Sequence, residues 1–482
     1  MLLFDGACTQ VMGALTGGAF LVAFALLLGA SNTTIGLLAA IGPLSQLAQI
    51  PTVFLVERTG LRKPFNVLGS LASRLFWIVI ALAPWGVAEP YRIPLFLASL
   101  ILYFAFAAVS NCAYSSWMRD FIPERIRGAY LAKRTTLSTS AAALFGLAAA
   151  FGIEFYKRQT GGEEGAYTIL FLAGAAFGLV GTLFLAQISE PRMAPRGSGS
   201  TLSDLRQPFR DEQFRTLLLF LAAWNFAANL AAPFFAVYMI KRLGLGMTLI
   251  IALSLVSQSA NVFFLGVWGR LADRLSNKSV LAVSGPLFMI SVVLWPLTAM
   301  SGSLWVTIPL LVLIHTLAGA STAGVTLCTG NIAVLAAPRG RATAYLATNA
   351  IVSGLAALVA PLVGGLGADW LAEQELRWTF RGEPGPAPFS SAELRGLDFL
   401  FIISFVIGLY AIHRLFAVKE EGEVEERIVL GELYAEVGRA LRHVSNVAGI
   451  RHLTHFPYGR FIRSKRDRSG PQMKIETPPD SE

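Results

Sequence analysis

The chain has 482 residues, of which 54% are hydrophobic and only 14% charged, with a formal net charge of +9. Soluble domains carry about 25% charged residues, so a water-soluble fold and a charge-rich disordered chain are both excluded. The mean hydropathy of +0.59 belongs to a chain whose main solvent is lipid. The positive balance then reports topology and not nucleic-acid binding.

Apolar residues come in runs of about 20, long enough to cross a hydrocarbon core of about 30 Å as helices. The runs do not alternate in polarity, which excludes a transmembrane β-barrel. The 33 phenylalanines suit lipid-facing surfaces. Twelve spans are predicted in chain order: Ala7–Gly29, Thr34–Val56, Phe65–Gly86, Ile93–Trp117, Thr135–Phe155, Tyr167–Ile188, Phe214–Ile240, Met247–Trp268, Val280–Met300, Leu304–Leu335, Thr343–Ala368 and Phe399–Ala417. The first run is too long for a signal peptide and lacks a basic leader, so it is predicted to be helix 1. Pro309 marks a candidate later start for the tenth. Cys8, Cys112 and Cys328 fall in separate runs. They form no spaced framework, so neither disulfide nor metal is expected.

The loops after helices 2, 4, 6, 8 and 10 hold roughly twice the Lys and Arg of the loops on the other side. Both termini are therefore expected in the cytoplasm, with the bacterial inner membrane as the expected location. Ser189–Gln213 contains Pro191, Pro195, Gly197, Ser198, Gly199 and Ser200 and reads as a flexible linker. The predicted organisation is a six-helix bundle over residues 1–188, the linker 189–213, a second bundle over 214–417, and a cytoplasmic tail over 418–482. In the tail, Leu430, Leu433, Val437, Leu441 and Val444 share a helical face, with Glu432, Glu436, Arg439 and Arg442 elsewhere, which predicts an amphipathic helix on the inner leaflet. Arg460, Arg463, Lys465, Arg466 and Arg468 are candidates for anionic headgroups, or belong to a solvated tail.

One loop pattern occurs twice. Glu57-Arg58-Thr59-Gly60-Leu61-Arg62-Lys63 follows the second run, and Gly269-Arg270-Leu271-Ala272-Asp273-Arg274-Leu275-Ser276-Asn277-Lys278 follows the eighth, nearly half the chain later. Each places an acid, then Arg, then a small residue, then a base. Two further echoes support a duplication. Ser45-Gln46-Leu47-Ala48-Gln49-Ile50 resembles Ser257-Gln258-Ser259-Ala260-Asn261-Val262, and Pro123 with Ala129-Tyr130-Leu131-Ala132 resembles Pro338 with Ala344-Tyr345-Leu346-Ala347.

Twelve spans, a mid-chain linker and the doubled loop resemble the major facilitator superfamily over about residues 5–417. The resemblance implies an all-α membrane protein of two pseudo-symmetric six-helix bundles, working as a transporter with its cavity between them. It also implies gating by the loops, through Glu57, Arg58, Gly60, Arg62, Lys63, Gly269, Asp273, Arg274 and Lys278. A carboxylate at these helix ends is expected to bond a neighbouring helix N-terminus and a nearby Arg, holding the cytoplasmic side closed. Some positions depart from the family pattern. Glu57 replaces Asp, Val53 replaces Gly, helix 4 lacks an intramembrane Arg, and the Gly-Pro pattern of helix 5 is echoed only in helix 11, at Ala360-Pro361-Leu362-Val363-Gly364-Gly365. These departures point away from proton-driven drug antiport.

Polar residues in the spans are the candidate cavity lining: Gln46 and Gln49, Asn111 and Tyr114 (with Trp117 one turn on), Asn225 and Asn229, Gln258 and Asn261, and His315. Each pair shares a helix face. The competing role for such amides is bonding between helices. Glu154 and His315 are the candidate protonation sites. Arg74, near mid-membrane, is expected to pair with an acid toward the cytoplasmic end. No phosphate loop, metal cluster or nucleophile triad is found, so no cofactor and no enzyme activity are expected. The expected partners are a small-molecule solute, membrane lipids and, as a candidate coupling ion, protons. Nucleic acid is not among them, and a monomer is expected. The leading reading is a secondary transporter of a small organic solute. The alternative is a membrane scaffold or assembly factor acting through its tail.

Overall fold

The computed structural model describes residues 1–190, 207–300, 303–338, 342–379, 391–418, 420 and 426–447. The linker prolines and glycines and the basic cluster after Tyr458 lie outside these residues. The chain falls into two compact units, Met1–Glu426 and Arg427–Glu482.

The first unit is an all-α bundle of twelve membrane-crossing helices: helix 1 (Leu2–Leu27), 2 (Asn32–Thr59), 3 (Lys63–Gly86), 4 (Glu89–Met118), 5 (Tyr130–Thr160), 6 (Glu164–Ala186), 7 (Glu212–Arg242), 8 (Met247–Arg274), 9 (Asn277–Met300), 10 (Leu304–Leu335), 11 (Ala344–Leu371) and 12 (Leu397–Phe416). Most run several residues past the apolar segments. Lipid leaves no water to satisfy the backbone, so each span closes its own hydrogen bonds as a helix. Helix 10 starts at Leu304 and keeps Pro309 inside it. Helix 1 breaks at Gly17, whose backbone is extended. Helix 2 tightens to a 3₁₀ turn over Gln46–Ala48, just after Pro43. A proline leaves one carbonyl of the preceding turn without its amide partner, which eases such a change of winding.

Helices 1–6 pack around an aromatic cluster in which Phe24 meets Phe171 at 4.9 Å and Trp77 meets Tyr103 at 5.1 Å. The last six repeat the device with different residues: Phe235 stacks on Trp295 at 4.8 Å, and Phe401 meets Tyr238 at 5.3 Å. We call the end of the bundle bearing the first residue of helix 1 and the doubled loops proximal, and the opposite end distal. Between helices 11 and 12, at the distal end, the long loop contains a feature not anticipated from sequence. Strands β1 (Glu375–Thr379) and β2 (Ser391–Arg395) pair antiparallel, with Arg377 opposite Glu393. Asp398, fully buried, anchors this hairpin by accepting the Tyr238 hydroxyl at 2.8 Å and the Arg395 N–H at 3.0 Å.

A helix, Glu426–Val447, starts at the last residue of the first unit and otherwise belongs to the second. It covers the stretch whose sequence reads as amphipathic, and Arg439 pairs within it with Glu436 and Glu432.

Candidate functional site between the two sets of six helices

Contacts between the first six and last six helices run mainly through helix 2 against helix 11 and helix 5 against helix 8. Both are tied at the distal end by the same device. Asp369, closing helix 11, accepts the backbone N–H groups of Asn32 at 3.0 Å and Thr33 at 2.8 Å. Glu154, late in helix 5, accepts the N–H of Thr248 at 2.9 Å. Each carboxylate thus satisfies free amides in the first turn of a helix from the other half, where the helix dipole favours negative charge. Helices 5 and 11 occupy corresponding places in the two halves, as do 8 and 2, so the two bonds form a symmetric pair. Beside Asp369 the backbones nearly touch: a Cβ on Gly36 would overlap the Pro361 carbonyl oxygen, and one on Gly365 would meet Asn32 O at 2.8 Å. The Ala360–Gly365 echo therefore forms a tight helix crossing.

Toward the proximal end helix 2 leaves helix 11. Its inner part, Gln49–Thr59, packs on helix 4 of its own half. Leu47, Ile50 and Phe54 are exposed there at 60%, 58% and 68%, which fits a surface facing a cavity or lipid.

The amide pairs diverge. The Gln49 side chain donates to Gln46 Oε1, and Gln46 is exposed. Gln258 is also exposed, but Asn261 donates to the Gly319 carbonyl at 3.2 Å and bonds helix 8 to helix 10. Asn225 donates to Leu221 O and Asn229 to Asn225 O, both at 2.8 Å and both half-buried. This leaves each amide oxygen and one N–H for another partner. Asn111 and Tyr114 line a cavity within the first six helices, while Trp117 turns into a small core with Met118, Ile122 and Leu185. His315 is buried inside the second half, its Nδ1 at 2.8 Å from Leu311 O and its ring against Trp295.

At the doubled loops, Glu57, Arg58 and Gly60 are exposed, and Gly60 closes helix 2 with φ of +68°. Asp273 and Arg274 are exposed and Gly269 is half-buried. The acids that bond the neighbouring helix N-termini are different ones. Glu190, just after helix 6, accepts the N–H of Arg62 at 2.6 Å and of Lys63 at 3.2 Å. The buried Arg62 side chain adds an ion pair at 3.5 Å and reaches the Ser116 carbonyl. Glu420, just after helix 12, accepts the N–H of Asn277 at 3.3 Å and of Lys278 at 2.6 Å, and Lys278 Nζ reaches the Phe416 carbonyl. These bonds stay within each half.

Sequence reading also missed a charged group inside the first half. Asp5 is buried, with Arg134 Nη2 at 3.6 Å. Arg74 is 4% exposed and donates to Thr9 Oγ1 at 3.2 Å, and Thr9 in turn reaches Asp5 at 3.5 Å. Asp5 lies at the proximal end of helix 1, where an acid was expected to serve Arg74.

A sequence model of the Major Facilitator Superfamily matches residues 6–361. The chain belongs to this superfamily, whose members are solute transporters. No curated protein matches it in sequence. Among solved structures, it is similar to the nucleoside transporter NupG (D323A mutant), with a TM-score of 0.65 at 11% identity, covering 87% of this chain and 98% of that one. A bacterial homolog of the human lysosomal transporter Spinster, inward-facing and unoccupied, superposes with a TM-score of 0.58 at 17% identity, over 89% and 96% of the two chains. A D-xylose-proton symporter gives 0.60 at 14% identity, over 88% and 97%. At such identities the likeness is one of fold.

Proposed function

We propose that the protein is a secondary transporter that carries a small organic solute by alternating access. In this reading the proximal side is cytoplasmic, and the form described here opens inward. One observation carries the reading: the matched carboxylate caps of Asp369 and Glu154, which join the halves at the distal end while helix 2 parts from helix 11 proximally. Bonds that can be made and broken between two otherwise self-contained halves are what rocking around a central cavity needs. The charge of the proximal loops supports a cytoplasmic assignment. The Spinster homolog of similar fold is inward-facing, which is compatible with this assignment.

Gln46, Gln49, Asn225, Asn229 and Gln258 are the polar groups we assign to the cavity, with Asn261 bracing helix 8 from behind. Glu57 and Asp273 are assigned to the opposite, inward-closed form, in which their loops approach the other half. Glu154 offers a route for proton coupling, since protonation removes the charge that its distal bond relies on. His315 offers a second, through the ring nitrogen not bonded to Leu311. We assign the protein to the bacterial inner membrane as a monomer with both termini cytoplasmic.

The test is labelling of single cysteines placed at Gln46 and Gln258 in a cysteine-free background, in sealed right-side-out and inverted vesicles. Labelling from the cytoplasmic face that falls when a transported solute is added supports the reading. Equal labelling from both faces, unmoved by any solute, refutes it. The scaffold alternative draws on the separate unit that begins at Arg427. Deleting the chain from Arg427 onward, which spares Glu420, leaves flux largely intact in a transporter and abolishes the function of a scaffold.

A further inference from the structure

A cavity of about 310 Å³ lies among helices 1, 3, 4, 5 and 6, and its charges do not balance. Among the described residues, two guanidiniums, Arg74 and Arg134, share one carboxylate, Asp5. Arg74 donates through Nη2 to Thr9, but its Nη1 has no acceptor among the described residues, although the side chain is 4% exposed. Arg134 spends Nη2 on Asp5 and lies over the Tyr114 ring at 5.4 Å, yet its Nε also has no acceptor among the described residues. Two of the hydroxyls around them are committed elsewhere. Ser70 bonds Ser110 at 2.7 Å, and Ser73 donates to the Ser70 carbonyl at 2.8 Å.

Guanidinium N–H groups held out of water without an acceptor are costly, and an excess cation in a membrane bundle is more so. An arginine is always charged, so the site cannot relieve itself by losing a proton. What relieves it is a group bringing negative charge and in-plane oxygen acceptors, the match to a guanidinium fork.

We propose that this cavity is a subsite for a compact anionic group, a carboxylate or phosphate carried by the transported solute, held by Arg74 and Arg134. Asp5 competes for the same guanidiniums and offsets one of their two charges in the empty site. The lining reaches from Arg74 to Asn66, in the first turn of helix 3, and to the exposed Asn111, so the anion enters from the proximal side. The solute identity rests on the transport reading above, but anion binding is measurable without any flux. Failure of one is therefore distinguishable from failure of the other.

The experiment is thermal unfolding of the purified full-length protein in neutral detergent, titrated with phosphate or succinate against chloride at constant ionic strength. Saturable stabilisation by phosphate or succinate is expected. Arg74→Gln should weaken apparent affinity about tenfold or more, and Arg134→Lys should weaken it less. Asp5→Asn should tighten it several-fold, because it frees Arg134. This opposite sign keeps the test valid if Arg74→Gln fails to fold. A second arm compares phosphatidylglycerol with phosphatidylcholine nanodiscs. Arg74-dependent stabilisation by phosphatidylglycerol alone, with no response to the soluble anions, assigns the site to a lipid headgroup and overturns the proposal. So does an Asp5→Asn variant that loses stability and gains no anion affinity.

Discussion

The carboxylate of Asp369 and the backbone N–H of Thr33 stand 2.8 Å apart, joining the end of helix 11 to the start of helix 2 across the two halves of the chain. Glu154 and Thr248 repeat the relationship at 2.9 Å between helices 5 and 8. If these bonds close the distal side, each one weights the balance between inward-open and outward-open forms.

Replacing Asp369 by Asn should move that balance outward. Charge-assisted bonds to two free helix amides become neutral ones, a loss of about 1–2 kcal/mol, or roughly tenfold in population. Glu154→Gln, with one such bond, should shift it less, and the double variant should add. Cysteine accessibility at the distal ends of helices 2 and 8 reads this out. An unshifted double variant would mean the caps are decoration on a joint held by packing.

The Gly36 crossing gives a steric version of the same test. A Cβ there overlaps the Pro361 carbonyl, so Gly36→Val should prevent distal closure. The variant is expected to reach the membrane, bind solute from outside and fail to complete transport. Normal exchange by Gly36→Val would show that the crossing relaxes freely.

Glu190 and Glu420 belong to a different class of bond, internal to each half. Glu190→Gln and Glu420→Gln should each lower stability by about 1 kcal/mol, the scale of a lost helix cap, while leaving the inward-outward ratio unchanged. Thermal unfolding and cysteine labelling together check both halves of that statement.

The amides separate in the same manner. Asn261→Leu removes a bond between helices 8 and 10 and should cost about 0.6–2 kcal/mol of stability. Gln258→Leu, at an exposed position, should leave stability alone and raise the apparent KM for solute. If the two variants trade phenotypes, the cavity lining on helix 8 is assigned to the wrong face.

Glu57→Gln and Asp273→Asn should favour inward-open states, since the bonds assigned to these two acids belong to the inward-closed form. Labelling of a single cysteine in the proximal vestibule is expected to rise in each. Labelling unchanged from wild type in both variants would reduce the loops to topological signals.

The twelve helices were legible because the membrane demands long apolar runs with internally satisfied backbones, a constraint visible in composition alone. The charged cluster in the first half was not, and the reason is physical. Hydropathy places charges outside the span, so Asp5 fell before the expected start at Ala7 and Arg134 before Thr135. The helices instead run from Leu2 and through Tyr130, carrying both side chains into the bundle. Asp369 was hidden in the same way, one residue beyond the expected end at Ala368. At the doubled loop, Glu57 and Asp273 were expected to cap the neighbouring helices, but Glu190 and Glu420 accept those amides. These acids come from beyond the sixth and twelfth spans, a distance in sequence that no local pattern reveals. The Gln46 and Gln258 segments look alike as letters, but Gly319 admits helix 10 close to Ser257. That gives Asn261 a partner in its own half, while Gln49 bonds Gln46.

Glu190 and Glu420 act like the diagonal struts of two separate frames. Each ties the chain leaving the last helix of its half back to the third helix of that half, so neither half depends on the connecting segment for its bracing. A polypeptide cut within residues 191–206 should then reassemble from two co-expressed pieces, because what joins them is the face they share and not the thread between them.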